Sequence, residues 1–218
     1  MQHSSLNPSK SIKIKIMSAS APIPPHSKLH YFVHSTGWIP CAVVALGDSV
    51  HLKQFAMQHL TVQATWFVLS ACLPAFFTGV MYWVDFAWPW GLTWIGAFTY
   101  WFTSFDSELN TTRRNLICLA YALHGARMGA GAVFMILSGT WKVSKDLPRY
   151  QFQKIRVEHL GGSWNMLVMQ KEIFMQCFAN GGLLFLPCFL CATDKTVGLS
   201  WLEVLGYSVW ALGWAIER

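Results

Sequence analysis

Two short stretches place ionisable groups inside apolar surroundings: VDFAW at residues 84–88 and HGARM at residues 124–128. A charge in hydrocarbon costs about 2.5 to 3.5 kcal/mol on insertion scales. Asp85 and Arg127 must therefore sit at a membrane edge or serve a polar interior. Arg127 cannot shed its proton, so it needs an acid, carbonyl groups or an anion. His124 lies three residues earlier, on roughly the same helical face. Gly125, Gly129 and Gly131 form a strip beside it that lets another helix approach closely. Two chemistries are open for Arg127: a buried ion pair with Asp85 or Glu203, or a cation holding phosphate or a polar substrate group in a cavity. Asp85 is flanked by Tyr82, Trp83, Phe86, Trp88 and Trp90. It reads as a tight turn in an interfacial aromatic belt, or as a polar anchor at the mouth of a cavity.

Other constellations point less far. His30 and His34 have helical metal-ligand spacing, but one such pair does not make a metal site, and interfacial histidines are the expectation. Cys188 and Cys191 form a CxxC with no second pair inside an apolar segment, so they read as small helix residues and no metal is expected. Asn180, Gly181 and Gly182 interrupt a span, either as an irregularity lining a cavity or as close packing. Gln176, one turn earlier, shares that ambiguity. No nucleophile–base–acid set, carboxylate pair or Gly-rich phosphate loop occurs.

The elements that hold these residues are membrane helices. Of 218 residues, 54% are hydrophobic and 12% charged, against about 25% charged in soluble domains. Five segments have the length and apolarity of spans: Leu60 to Trp83, Phe86 to Thr103, Asn115 to Gly139, Glu172 to Ala192 and Leu199 to Ile216. A sixth, Tyr31 to Val50, is weaker because it carries His34, Pro40 and Asp48. The fold class is all-α, a multi-pass transmembrane bundle of five to six spans. Residues 1–28 are a basic tail, disordered to about Pro25, and residues 29–218 are the membrane domain. The tail suits anionic headgroups better than nucleic acid.

Lys142, Lys145, Arg149, Lys154, Arg156 and Lys171 crowd one loop, which the positive-inside rule places in the cytosol. Six spans put the tail on the same side and leave Arg113 and Arg114 on the other. Arg149 to Leu160 reads either as an amphipathic surface helix with Tyr150, Phe152, Ile155 and Leu160 on its apolar face, or as a solvated loop. Gly161-Gly162 reads as a turn.

The order of motifs resembles the steroid 5-alpha-reductase-like membrane proteins, in their broad uncharacterised branch. DFAWPWG (85–91) is similar to an acid-aromatic turn before a Gly-containing span. GARM (125–128) matches a later G-x-R-[LM] element, and DLPRY (146–150) a cytosolic D-x-R-Y. Gln176 and Pro187 fit a span with an internal Gln and a late Pro, and GWAIE (213–217) a final G-x-x-[IL]-E. The resemblance implies an NADPH-dependent reductase of a carbon–carbon double bond in a steroid or other enone lipid. It implies Arg127, Asp146, Arg149 and Tyr150 as cofactor-binding residues, and Tyr121, His124 and Asp85 as candidates for the catalytic acid. It points to the endoplasmic reticulum, with mitochondrial or plastid membranes as alternatives. Family members continue beyond the stretch matching GWAIE, so the expectation is an incomplete chain lacking the C-terminal helices and inactive alone. Two further expectations stand beside it: a non-catalytic lipid-binding or assembly protein, and a methyltransferase relative using S-adenosylmethionine.

Overall fold

The computed structural model describes residues 46–106, 109–142, 144–159 and 161–216. The basic tail, the His30/His34 pair, the weak span up to Ala45, Leu160, Glu217 and Arg218 lie outside the described residues. The described residues are helical with short connections, and no strand occurs among them. In order they form α1 (Val50–Phe67), a π-helical segment (Val68–Cys72) and α2 (Leu73–Thr78), then α3 (Trp83–Thr103), α4 (Thr111–Leu137) and α5 (Pro148–His159). A second set follows: α6 (Met166–Phe178), another π-helical segment (Ala179–Leu184), α7 (Phe185–Ala192) and α8 (Trp201–Ile216). Three continuous rods are long and apolar enough to cross a membrane: Val50–Thr78, Thr111–Leu137 and Met166–Ala192.

Local chemistry sets the boundaries. The first rod starts ten residues before the expected Leu60, because the Ser49 hydroxyl accepts from Leu52 N–H at 3.2 Å and caps it. It stops at Gly79, whose φ of 70° is the left-handed conformation that ends helices. Asn110 and Asn165 cap α4 and α6 in the same way as Ser49 caps α1. At α8, Ser200 and Glu203 form a capping box. The Ser200 hydroxyl accepts from Glu203 N–H at 3.2 Å, and the Glu203 carboxylate accepts from Ser200 N–H at 2.7 Å.

Both π-helical segments precede a proline, Pro74 in one rod and Pro187 in the other. Proline removes an N–H and crowds the carbonyl four residues back, and a widened turn relieves that crowding. Side chains from neighbouring helices then serve carbonyls at the ends of the widened turns. Gln170 Nε2 donates to Cys72 O, and Tyr121 Oη to Leu184 O, each at 3.0 Å. The Asn180-Gly181-Gly182 interruption is thus a buried π-helical turn.

Helix α3 is the centre of the described bundle. Trp66 Nε1 donates to Ala87 O at 2.9 Å, Asn180 Nδ2 to Trp88 O at 3.0 Å and Gln63 Nε2 to Gly91 O at 2.8 Å. These bonds flank Pro89, where a regular ladder is broken. Gly91 has to be glycine: a Cβ there would collide with the Asn180 amide and lie 2.9 Å from Gln63 Oε1. Helices α3 and α4 pack closely through Gly125 and Gly129. A Cβ on Gly125 would come 2.5 Å from Pro89 O, and one on Gly129 2.6 Å from the Trp90 ring. Gly131, by contrast, borders open space.

Two apolar clusters fill the interior. One joins Phe67, Ala71, Met81, Tyr82, Ala87, Met169 and Ile173 near the start of α3. The other joins Phe55, Leu92, Ile95, Cys118, Phe185 and Phe189 toward its end. The second is rich in ring contacts, such as Phe55 on Phe189 at 4.2 Å between centroids.

Candidate functional site

Helix α8 packs loosely, and none of its described residues is buried. Between it and the bundle lies a cleft of 490 Å³ lined by Trp88, Leu92, Ile117, Ala120, Tyr121, His124, Leu184, Cys191, Glu203, Gly206, Tyr207 and Trp210. That volume suits one lipid- or drug-sized molecule.

At one end of the cleft a closed network ties α8 to α4. Arg113, 3% exposed, meets Glu203 through two parallel bonds, Nε to Oε1 at 2.5 Å and Nη2 to Oε2 at 2.9 Å. Its remaining donors reach Thr196 O and Oγ1, both at 2.8 Å, and Gly198 O at 2.6 Å. Asp194 adds a carboxylate at 3.5 Å. The fork of a guanidinium suits this bidentate geometry. The Asp194 carboxyl, in the loop, is held below the usual carboxylate range, first by the Thr196 backbone N–H.

Farther along the cleft, polar atoms lie in otherwise apolar walls. Tyr121 donates its hydroxyl to Leu184 O. The Tyr207 hydroxyl lies against the Cys191 thiol as its hydrogen-bond partner. His124 Nδ1 is buried with no hydrogen-bond partner among the described residues, although buried polar groups are normally satisfied. Sequence reasoning named Tyr121 and His124 and missed Tyr207, Arg113 and the cleft role of Glu203. The Ser200-x-x-Glu203 capping pattern was the readable signal for the last of these.

Asp85 lies elsewhere. It sits in the first turn of α3, where the helix dipole favours an anion. Its Oδ1 accepts from Tyr150 Oη at 2.7 Å, and its Oδ2 is ion-paired with Arg149. Asp146 accepts from the backbone N–H of Met81 at 2.8 Å and of Tyr82 at 3.1 Å, capping α3 from a distant loop. Burial pushes the Asp146 carboxyl up, while those N–H groups pull it down. Burial, then the Asp85 charge, pushes the Tyr150 phenol well above its ordinary range. The structure thus brings together Asp85, Asp146, Arg149 and Tyr150 from two sequence motifs, with Tyr150 and Asp85 65 positions apart in the chain.

Arg127 does not join that cluster. Gly125 and Gly129 point at α3, and two residues turn a helix through about 200°, so Arg127 faces the other way. Its guanidinium lies 5.1 Å over the Trp214 ring of α8, a cation–π contact. The acids expected to pair with it are engaged by other residues: Asp85 by Tyr150 and Arg149, Glu203 by Arg113 and Ser200. Of the four residues that the resemblance assigns to NADPH, Asp146, Arg149 and Tyr150 lie together near the start of α3, and Arg127 lies over Trp214 of α8. Among the described residues no group of three or more His, Cys, Asp or Glu could hold a metal ion. Cys188 is buried in α7, and Cys191 lines the cleft.

Comparison with family models, curated proteins and solved structures yields no match.

Proposed function

We propose that the chain binds one lipid-class molecule in the cleft between α8 and the bundle, as the substrate-holding part of a membrane reductase acting on enone lipids. The observation that carries this is the pairing of apolar walls with an unpartnered buried polar atom, His124 Nδ1. An enone carbonyl accepts hydrogen bonds, and the His124 imidazole N–H can supply one. Trp88, Leu92, Ile117 and Leu184 would exclude water around the double bond. Tyr121 positions the π-helical wall through Leu184 O and still has lone pairs toward the cleft. In the reductase reading the hydride comes from NADPH.

The membrane arrangement is part of the proposal. Helix α3, with 21 residues, and α8, with 16, join the three long rods as further spans. A helix of 16 residues rises only about 24 Å, so α8 would tilt little or sit in a thinned region. The loop from Lys142 to Lys171 faces the cytosol, and the membrane is that of the endoplasmic reticulum.

One observation favours a second reading, a lipid-binding protein without catalysis. The Tyr121 hydroxyl is committed to a carbonyl, Asp85, Arg149 and Tyr150 satisfy one another, and Asp146 is taken up by backbone N–H groups. The test is to purify the chain in detergent, titrate enone lipids, and follow NADPH oxidation with product analysis. Saturable binding with turnover supports the reductase. Saturable binding without turnover selects the second reading, and no saturable binding rejects both. Consumption of S-adenosylmethionine instead of NADPH would select a methyltransferase.

A further inference from the structure

We infer that α5 is a membrane-surface helix whose outward face docks on an anionic bilayer. The inference requires the membrane reading above and goes beyond the cleft. Helix α5 is pinned on one side only. Tyr150, its one buried residue, reaches Asp85 in the first turn of α3, and Gln153 Nε2 donates to Glu172 at 3.0 Å. Tyr150, Gln153 and Val157 lie within about 60° of one another around the axis, at 100° per residue. Directly opposite run Phe152, Ile155 and His159. Phe152 is 58% exposed and Ile155 60%, which an aqueous helix of such polar composition has no reason to maintain.

Because Tyr150 is tethered to the start of α3, the helix lies at the level where a bundle helix begins, the headgroup level. The surrounding charge selects the kind of bilayer. Lys142, Lys145, Lys154 and Lys171 are exposed around α5, while Glu158 is the one exposed acid on the helix itself. Apolar side chains inserted to shallow depth with lysines beside them is the pattern of interfacial helices on anionic lipid. Each lysine near such a surface adds about 1 kcal/mol.

The test uses the full chain with its native cysteines. An environment-sensitive fluorescent amino acid is introduced by codon suppression at Phe152, Ile155, Glu158 or Leu190, one site per sample. The chain is reconstituted in phosphatidylcholine vesicles with or without phosphatidylserine. Brominated lipid should quench positions 152 and 155 and aqueous iodide should not, with the reverse at 158. Lipid quenching at 152 and 155 should fall several-fold without phosphatidylserine, and likewise in a Lys142→Gln, Lys145→Gln, Lys154→Gln variant. Position 190, 53% exposed in α7, is the control for membrane insertion. If iodide rather than lipid quenches 190, the membrane reading itself fails. If 190 is lipid-quenched but 152 and 155 respond to iodide as 158 does, the surface-helix inference is wrong. Equal quenching with and without phosphatidylserine overturns the anionic part.

Discussion

Around Asp85, the charged and phenolic groups answer one another: carboxylate, guanidinium, phenol and the open end of α3. Around His124, in the cleft, an imidazole nitrogen has no partner among the described residues. Both regions hold residues that the sequence marks as chemical. A polar network that closes on itself has a structural task, here fixing α5 and the 138–147 loop to the start of α3. The unserved His124 nitrogen in the cleft wall is the atom that the proposed ligand would meet. The Arg113–Glu203 pair belongs with the first kind, although it borders the cleft.

The strongest way to break this contrast is to cut a closed network. Arg113→Ala removes the cation, which leaves the Glu203 and Asp194 carboxylates uncompensated and Thr196 O and Gly198 O without their donors. A thermal unfolding series in detergent should show a large loss of stability, and α8 should become protease-sensitive first. Little change in either would mean that the network does not anchor α8.

Cutting the Asp85 cluster should do less. Asp85→Asn removes the ion pair with Arg149 and weakens the acceptor for Tyr150, a loss of about 1 to 3 kcal/mol. Hydrogen exchange should speed up in Pro148–His159 while the cleft helices keep their protection. If lipid binding fell instead and exchange did not change, the cluster would be a ligand site and the comparison would be inverted.

The cleft should respond the other way round. His124→Leu removes an unpartnered nitrogen, so the folded chain should keep its stability or gain slightly. Affinity for a carbonyl-bearing lipid should drop by about tenfold, the worth of one hydrogen bond in an apolar site. A large stability loss with unchanged binding would show that His124 is structural.

The smallest effect is at alkaline pH. The folded-state pKa of Tyr150 is raised by burial beside Asp85, above the ordinary tyrosine value of about 10. The folded chain therefore holds this proton after the unfolded chain has lost it, and its contribution to stability is lost as pH rises beyond that ordinary value. Tyr150→Phe should flatten that part of the stability–pH curve; identical curves would remove Tyr150 from the account.

Much of the fold could be read from the sequence because it rests on apolar length. The five stronger segments all appear as helices, three of them long and apolar enough to span, with ends moved by Ser49, Gly79 and Asn165. The amphipathic stretch after Pro148 is a helix, and the Asn180-Gly181-Gly182 irregularity is real. The site was harder to read. Tyr121 and His124 do line the cleft, because helical spacing on α4 places them together. That Asp85 meets Tyr150 rather than Arg127 depends on how a loop folds back over 60 residues, and no periodicity reports that. For Arg127 the sequence left open an ion pair with Asp85 or Glu203 or a cation in a cavity, and its direction is set by Gly125 and Gly129. Those glycines turn it away from α3, and that is visible only once the α3–α4 contact is known. Arg113, taken as a charge on the wrong side of the membrane, is neutralised within the chain.

The central claim is that the cleft, and not the lipid-facing surface at large, receives a ligand. A lipid carrying a photoactivatable diazirine and an enone tests it most directly, cross-linked to the purified chain and mapped by peptide mass spectrometry. Adducts should concentrate on the cleft residues Ile117, Tyr121, His124, Tyr207 and Trp210, be competed by unlabelled enone lipid, and disappear in Ala120→Trp, which fills the cleft. Adducts spread over outward residues such as Leu119, Leu123 and Leu190, unaffected by competitor or by Ala120→Trp, would contradict the account.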